Sequence, residues 1–176
     1  MMKFLAFVGF VAIVAILANA AFFLGGFFSV AASAKDPDIV NWALVRVREA
    51  SIARHADENP PMSLEDPTVV QEGARAYAER GCVHCHGAPG EEWSKFSEGL
   101  NPDPPDLKDV VPGRDPRDLF WVIKNGVKMT GMPSFAMAGA SDRDIWSITA
   151  FLKKLSTIKP EDYKAWSKPA AVSPNP

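Results

Sequence analysis

Residues 81–87 read Gly81-Cys82-Val83-His84-Cys85-His86-Gly87, and they hold both cysteines of the 176-residue chain. The residues before them carry a helical pattern from Thr68 to Arg80, with Thr68 as cap and Gly81 as stop. Downstream, Asp115 followed by Pro116 and Gly126 brackets a second helix over Pro116–Asn125. Its apolar residues Leu119, Phe120, Val122 and Ile123 face inward at least in part. Ser141 opens a third helix over Asp142–Leu155, with Ile145, Ile148, Phe151, Leu152 and Leu155 on one stripe. No segment alternates with period two for long enough to argue a strand. The fold class is therefore all-α, with the compact domain at residues 68–158. Three helices make a small core, and a large apolar cofactor inside it would relieve that shortage.

With no further cysteine, a disulfide framework is excluded. A thiol–disulfide exchange site also uses C-x-x-C, but beside a βαβ pattern that this chain lacks. A zinc site needs a second ligand pair a dozen or more residues away, and four ligands within five residues cannot surround one tetrahedral ion. The remaining reading is C-x-x-C-H, the pattern of c-type haem attachment. Two thiols at this spacing reach two neighbouring vinyl groups on one haem edge, and His86 then lies under the ring. His84 reads as a solvent-facing spacer, and His55 as a surface residue. Haem iron in electron-transfer proteins commonly takes a methionine as its other axial ligand. Met129, Met132 and Met137 are the downstream candidates, and Met132 stands in Gly131-Met132-Pro133. A flexible glycine before and a rigid proline after suit a side chain held out in an extended loop.

Residues Phe4 to Val30 carry no charge. As one helix that run measures roughly 40 Å, enough to cross a hydrocarbon core of about 30 Å. A cleavable signal peptide is the competing reading, because Ala18-Asn19-Ala20 and Ala32-Ser33-Ala34 both fit a peptidase site. The apolar run continues past the first, and the second would leave an unusually long core, so residues 1–34 are expected to stay as a single-pass anchor. Lys3 and the terminal amine place the N-terminus in the cytoplasm and the rest of the chain outside it.

Residues 35–67 are expected to hold a short amphipathic juxtamembrane helix, up to about Arg54, and then the linker Asn59–Pro67. That helix would lie on the membrane or against a neighbour, or dock a partner subunit. Residues 159–176 read as a proline-rich tail, extended or disordered. The formal charge of −2 leaves no footprint for nucleic acid. Residues 68–158 carry eleven Lys and Arg against twelve Asp and Glu, so no dominant field steers a partner.

Over Thr68–Leu155 the chain resembles the small monohaem class I cytochromes c. Gly73 and Tyr77 precede Cys82-Val83-His84-Cys85-His86-Gly87 as in that family's first helix. Pro104-Pro105-Asp106-Leu107 is similar to its proximal loop, and Ile123–Gly126 with Thr130–Phe135 to its distal segment. Trp146 and Phe151 lie on a helix like the one that crosses the first near Gly73. The resemblance implies one covalent haem c on Cys82 and Cys85, with His86 and Met132 as axial ligands. It further implies that the Pro105 carbonyl, or alternatively that of Pro104, accepts the hydrogen bond of His86. The expected activity is single-electron transfer between redox proteins, with no catalytic residue and no small-molecule substrate. The family does not require the anchor or the juxtamembrane helix; those features resemble tethered cytochromes of membrane respiratory complexes. The implied location is a cell inner membrane, with the haem domain on the periplasmic side. Three roles stay open: a tethered shuttle, a permanent subunit of a larger respiratory or dehydrogenase complex, or a haem peroxidase or gas sensor. The last needs an open iron position, and a bound Met132 argues against it.

Overall fold

The computed structural model describes residues 1–168 and divides into two units, Met1–Lys35 and Asp36 onward. The first unit is α1, Met2–Leu24, 23 residues with a mean hydropathy of 2.5 and no buried side chain. At 1.5 Å per residue it measures about 34 Å, so it is long and apolar enough to cross a bilayer. It stops short of the expected Val30. Gly26 turns left-handed (φ 75°), its N–H donates to Phe23 O at 3.3 Å, and Phe27 N–H donates to Phe22 O at 3.1 Å. This 6→1 and 5→2 pair closes a helix C-terminus.

Among the described residues the second unit's regular elements are all helices, joined by long irregular segments, with one isolated bridge between Ala88 and Glu91. Its elements are α2 (Asp38–His55), α3 (Pro67–Glu79), α4 (Val83–His86), α5 (Leu107–Val110), α6 (Pro116–Asn125), α7 (Asp142–Lys154) and α8 (Pro160–Trp166). Short 3₁₀ turns occupy Lys95–Gly99 and Leu155–Thr157.

The core forms where α3 crosses α7. A Cβ on Gly73 would stand 1.9 Å from Ser147 O, so only glycine allows the two backbones this close. Tyr77, Ile145, Trp146, Ile148 and Phe151 are almost wholly buried there. Helix α6 joins by stacking Phe120 on Trp146, centroids 4.1 Å apart. The caps differ slightly from expectation. Ser141 closes a capping box with Asp144 on α7, and Asp115 accepts from Arg117 N–H on α6. On α3, however, the cap is Asp66 rather than Thr68, because Pro67 fills the first helical position and Asp66 accepts from Thr68 N–H at 2.8 Å.

Two regions carry contacts the sequence reading does not anticipate. Helix α2, expected to lie on the membrane or against a neighbour or to dock a partner subunit, rests one side on the domain. Ile52 is buried, Glu49 pairs with Arg114 through both guanidinium nitrogens, and His55 stacks on Trp121 at 6.0 Å. The following segment is fastened too: Glu58 pairs with Lys124, Glu65 with Lys154, and Met62 and Leu64 pack against the core. The tail expected from residue 159 begins instead with α8. Its Tyr163 is buried against Phe151, ring centroids 5.7 Å apart. The part of the tail from residue 169 onward lies outside the described residues.

Candidate functional site

The end of α3 sets the cysteine turn in place. Gly81 is left-handed (φ 75°), Gly81 N–H donates to Ala78 O at 3.0 Å, and Cys82 N–H donates to Tyr77 O at 3.1 Å. These bonds cap α3 and deliver Cys82 directly against the core, which it joins as a half-buried member. One turn of helix follows. His86 N–H reaches Cys82 O at 3.0 Å, and Gly87 N–H reaches Val83 O at 2.9 Å. Cys82, Cys85 and His86 thus stand on a single turn. The turn is tied down from behind, where buried Tyr77 donates its hydroxyl to Gly87 O at 2.7 Å. His84 is exposed, and its Nδ1 lies 3.3 Å from the Ser94 hydroxyl.

His86 Nδ1 lies 3.0 Å from Pro105 O. A carbonyl only accepts, so Nδ1 carries the proton and Nε2 keeps its lone pair for a metal. Burial holds the imidazole below its ordinary pKa, which keeps it neutral at pH 7. Burial also pushes the Cys82 thiol up to about 12. A thiol-exchange site works through the thiolate, which this burial disfavours at Cys82. Among the described residues no three His, Cys, Asp or Glu side chains converge as a metal site.

On the distal side the segment 127–136 folds back on the end of α6. Val127 N–H donates to Met132 O at 3.1 Å, and the Thr130 hydroxyl accepts from Met132 N–H at 3.1 Å. Phe135 N–H bonds to Ile123 O, and the Ser134 hydroxyl donates to Lys124 O at 2.7 Å. Met132 is therefore held in a closed, bonded turn rather than in the extended loop that the flanking glycine and proline suggested. Gly131 has a packing reason, since a Cβ there would lie 2.8 Å from the Leu100 side chain. Met132 is half-buried against the core, whereas Met129 and Met137 are 84% and 92% exposed. The sequence reading gives Thr130 no role beyond its place in the Thr130–Phe135 run and does not single out Leu100, whose contact with Gly131 has no local signal.

The donor set fits haem: two neighbouring thiols, an imidazole with its outer nitrogen already engaged, and a neutral thioether held in a bonded turn. Residues 68–152 match the model of the family described as Cytochrome C oxidase, cbb3-type, subunit III. This segment is a c-type cytochrome domain, a haem-binding carrier of electrons, and the apolar helix α1 fits a membrane anchor. No curated protein and no solved structure gives a match.

Proposed function

We propose that the chain is a membrane-tethered monohaem c-type cytochrome passing single electrons between membrane redox complexes or to a terminal oxidase or reductase. When bound, the haem supplies a reversible one-electron couple at iron. The chain's residues do the rest. Cys82 and Cys85 hold the ring by thioether bonds, so a small exported domain keeps it without complete burial. His86 binds through Nε2, and the Pro105 carbonyl on Nδ1 fixes the imidazole and raises its donor strength. Met132 would offer the iron a neutral thioether sulfur, which favours the reduced, less charged state. With His86 and Met132 both committed to the iron, no side chain would be required as acid, base or nucleophile. The His86–Pro105 hydrogen bond on the turn that carries both cysteines is the observation on which this reading rests.

Replacing Met132 tests it. In the haem-loaded chain, Met132→Ala is expected to abolish the weak far-red methionine–iron band of the oxidised state. Met129→Leu and Met137→Leu are expected to leave that band in place. A Met132→Ala spectrum identical to wild type would refute the axial assignment.

A second reading, a permanent subunit of a larger respiratory complex, is favoured by the matching family, which is described as an oxidase subunit. Purification from detergent-solubilised membranes separates the two. A fixed set of co-purifying subunits supports the complex, and a lone chain supports the shuttle. In either role the haem domain faces the periplasm, on the outer side of the inner membrane.

A further inference from the structure

Helix α2 is docked along one side only. Ile52 is buried against the domain, Glu49 pairs with Arg114, and half-buried Val45 lies on the same helix face. The opposite stripe runs Ile39, Ala43, Val47 and Ala50, at spacings of four, four and three, with Ala43 half-buried and the other three exposed. Trp42 and Leu44 flank it. Ile39 and Val47 are each 68% exposed, and Trp42 is 58% exposed. Two apolar sides on one helix mean that the domain satisfies only one of them.

The chemistry around the uncovered side selects the occupant. Arg46 and Arg54 border the stripe, and both are exposed. The acids of α2 are Asp38 in its first turn and Glu49, which is committed to Arg114. The outward face is thus apolar with a cationic margin, complementary to lipid acyl boundaries and anionic headgroups. The Arg46 guanidinium lies 5.9 Å over the Trp42 ring, and Trp is favoured at the headgroup level. Tethering supplies a further reason. Only residues 25–37 separate α1 from α2, a segment that spans at most roughly 45 Å when extended. If α1 is in a bilayer, α2 is confined near that bilayer's surface at high effective concentration.

We infer that the Ile39–Val47 face of α2 is a lipid-binding surface that lies in the headgroup layer of an anionic membrane. The inference rests on α1 being a membrane anchor, and the test keeps the two claims apart. The haem-loaded full chain, whose native cysteines are consumed as thioethers, is placed in phosphatidylcholine–phosphatidylglycerol nanodiscs. Single nitroxide labels go at Ile39→Cys, Val47→Cys, Val14→Cys in α1 and the exposed Glu161→Cys in α8. Collision with oxygen and with a water-soluble nickel chelate is then read at each site. The expected result is an oxygen-to-nickel ratio at residues 39 and 47 shifted severalfold from the Glu161→Cys value toward that of Val14→Cys. A lipid ratio at residue 14 with an aqueous ratio at residues 39 and 47 overturns the inference alone. Low accessibility to both reagents at residues 39 and 47 also overturns it, because the face is then covered by protein. An aqueous ratio at residue 14 overturns the anchor reading on which it rests.

Discussion

Where α3 crosses α7, the missing Cβ of Gly73 lets two backbones touch, and buried aromatic rings fill the space around them. Where α2 meets α6 and the turn before it, a partly exposed Glu49–Arg114 pair and a stacked His55–Trp121 pair join them, and Ile52 is the one buried side chain of α2. The first contact removes large apolar area from water and positions the cysteine turn through Tyr77. The second buries little and leaves a whole face of α2 uncovered. One is a core contact that the site depends on, and the other a surface latch that can be weakened without dismantling the site.

Three substitutions or conditions sharpen that contrast. The largest effect belongs to Gly73→Val. Its Cβ would overlap the Ser147 backbone, which cannot step aside as a flexible side chain could. A loss of roughly 3 kcal/mol or more is expected in urea unfolding, together with poor haem incorporation. A variant as stable as wild type would show that the α3–α7 crossing has room for a side chain at residue 73. Glu49→Gln comes second. It removes a charge-assisted pair whose side chains are 33% and 35% exposed, so the cost should be about 1 kcal/mol, with the haem spectrum unchanged. A spectral change would mean that the latch reaches the site. The smallest effect is on pH. Hydrogen bonds from Arg114 hold the Glu49 carboxyl below its usual 4.5. Because the folded value is depressed, the pair contributes fully above about pH 4.5 and its contribution fades as pH falls further. The stability gap between wild type and Glu49→Gln should therefore shrink on acidification, and a constant gap would place its origin elsewhere.

These two regions also differ in how much the sequence revealed. Helices α3, α6 and α7 are visible through local signals: Gly81 as the stop of α3, Asp115, Pro116 and Gly126 around α6, and Ser141 with one apolar stripe on α7, although the cap of α3 is Asp66 and not the expected Thr68. The C-x-x-C-H turn is visible for the same reason, as spacing within a few residues, whereas Met132 is singled out by a glycine and a proline whose expected extended loop is in fact a closed turn. The contacts of α2 are not local. Glu49 finds Arg114 65 residues away, and Glu65 finds Lys154 89 residues away, and neither pairing leaves a periodicity to read. Helix α8 was missed because its proline and polar composition reads as tail. Tyr163 makes it a packed element, through a contact with Phe151 that only the fold creates. The closed turn around Met132 likewise depends on carbonyls at the end of α6.

The central claim is that Cys82, Cys85, His86 and Met132 hold one covalent, six-coordinate haem. An optical spectrum of the purified membrane protein, oxidised and reduced, with a pyridine haemochrome assay, tests it most directly. The account predicts one covalent haem per chain, sharp low-spin bands on reduction and a weak far-red methionine–iron band on oxidation. Covalent haem with high-spin bands that shift on adding carbon monoxide would contradict the Met132 ligation. Absence of covalent haem would contradict the whole reading of the Cys82–His86 turn.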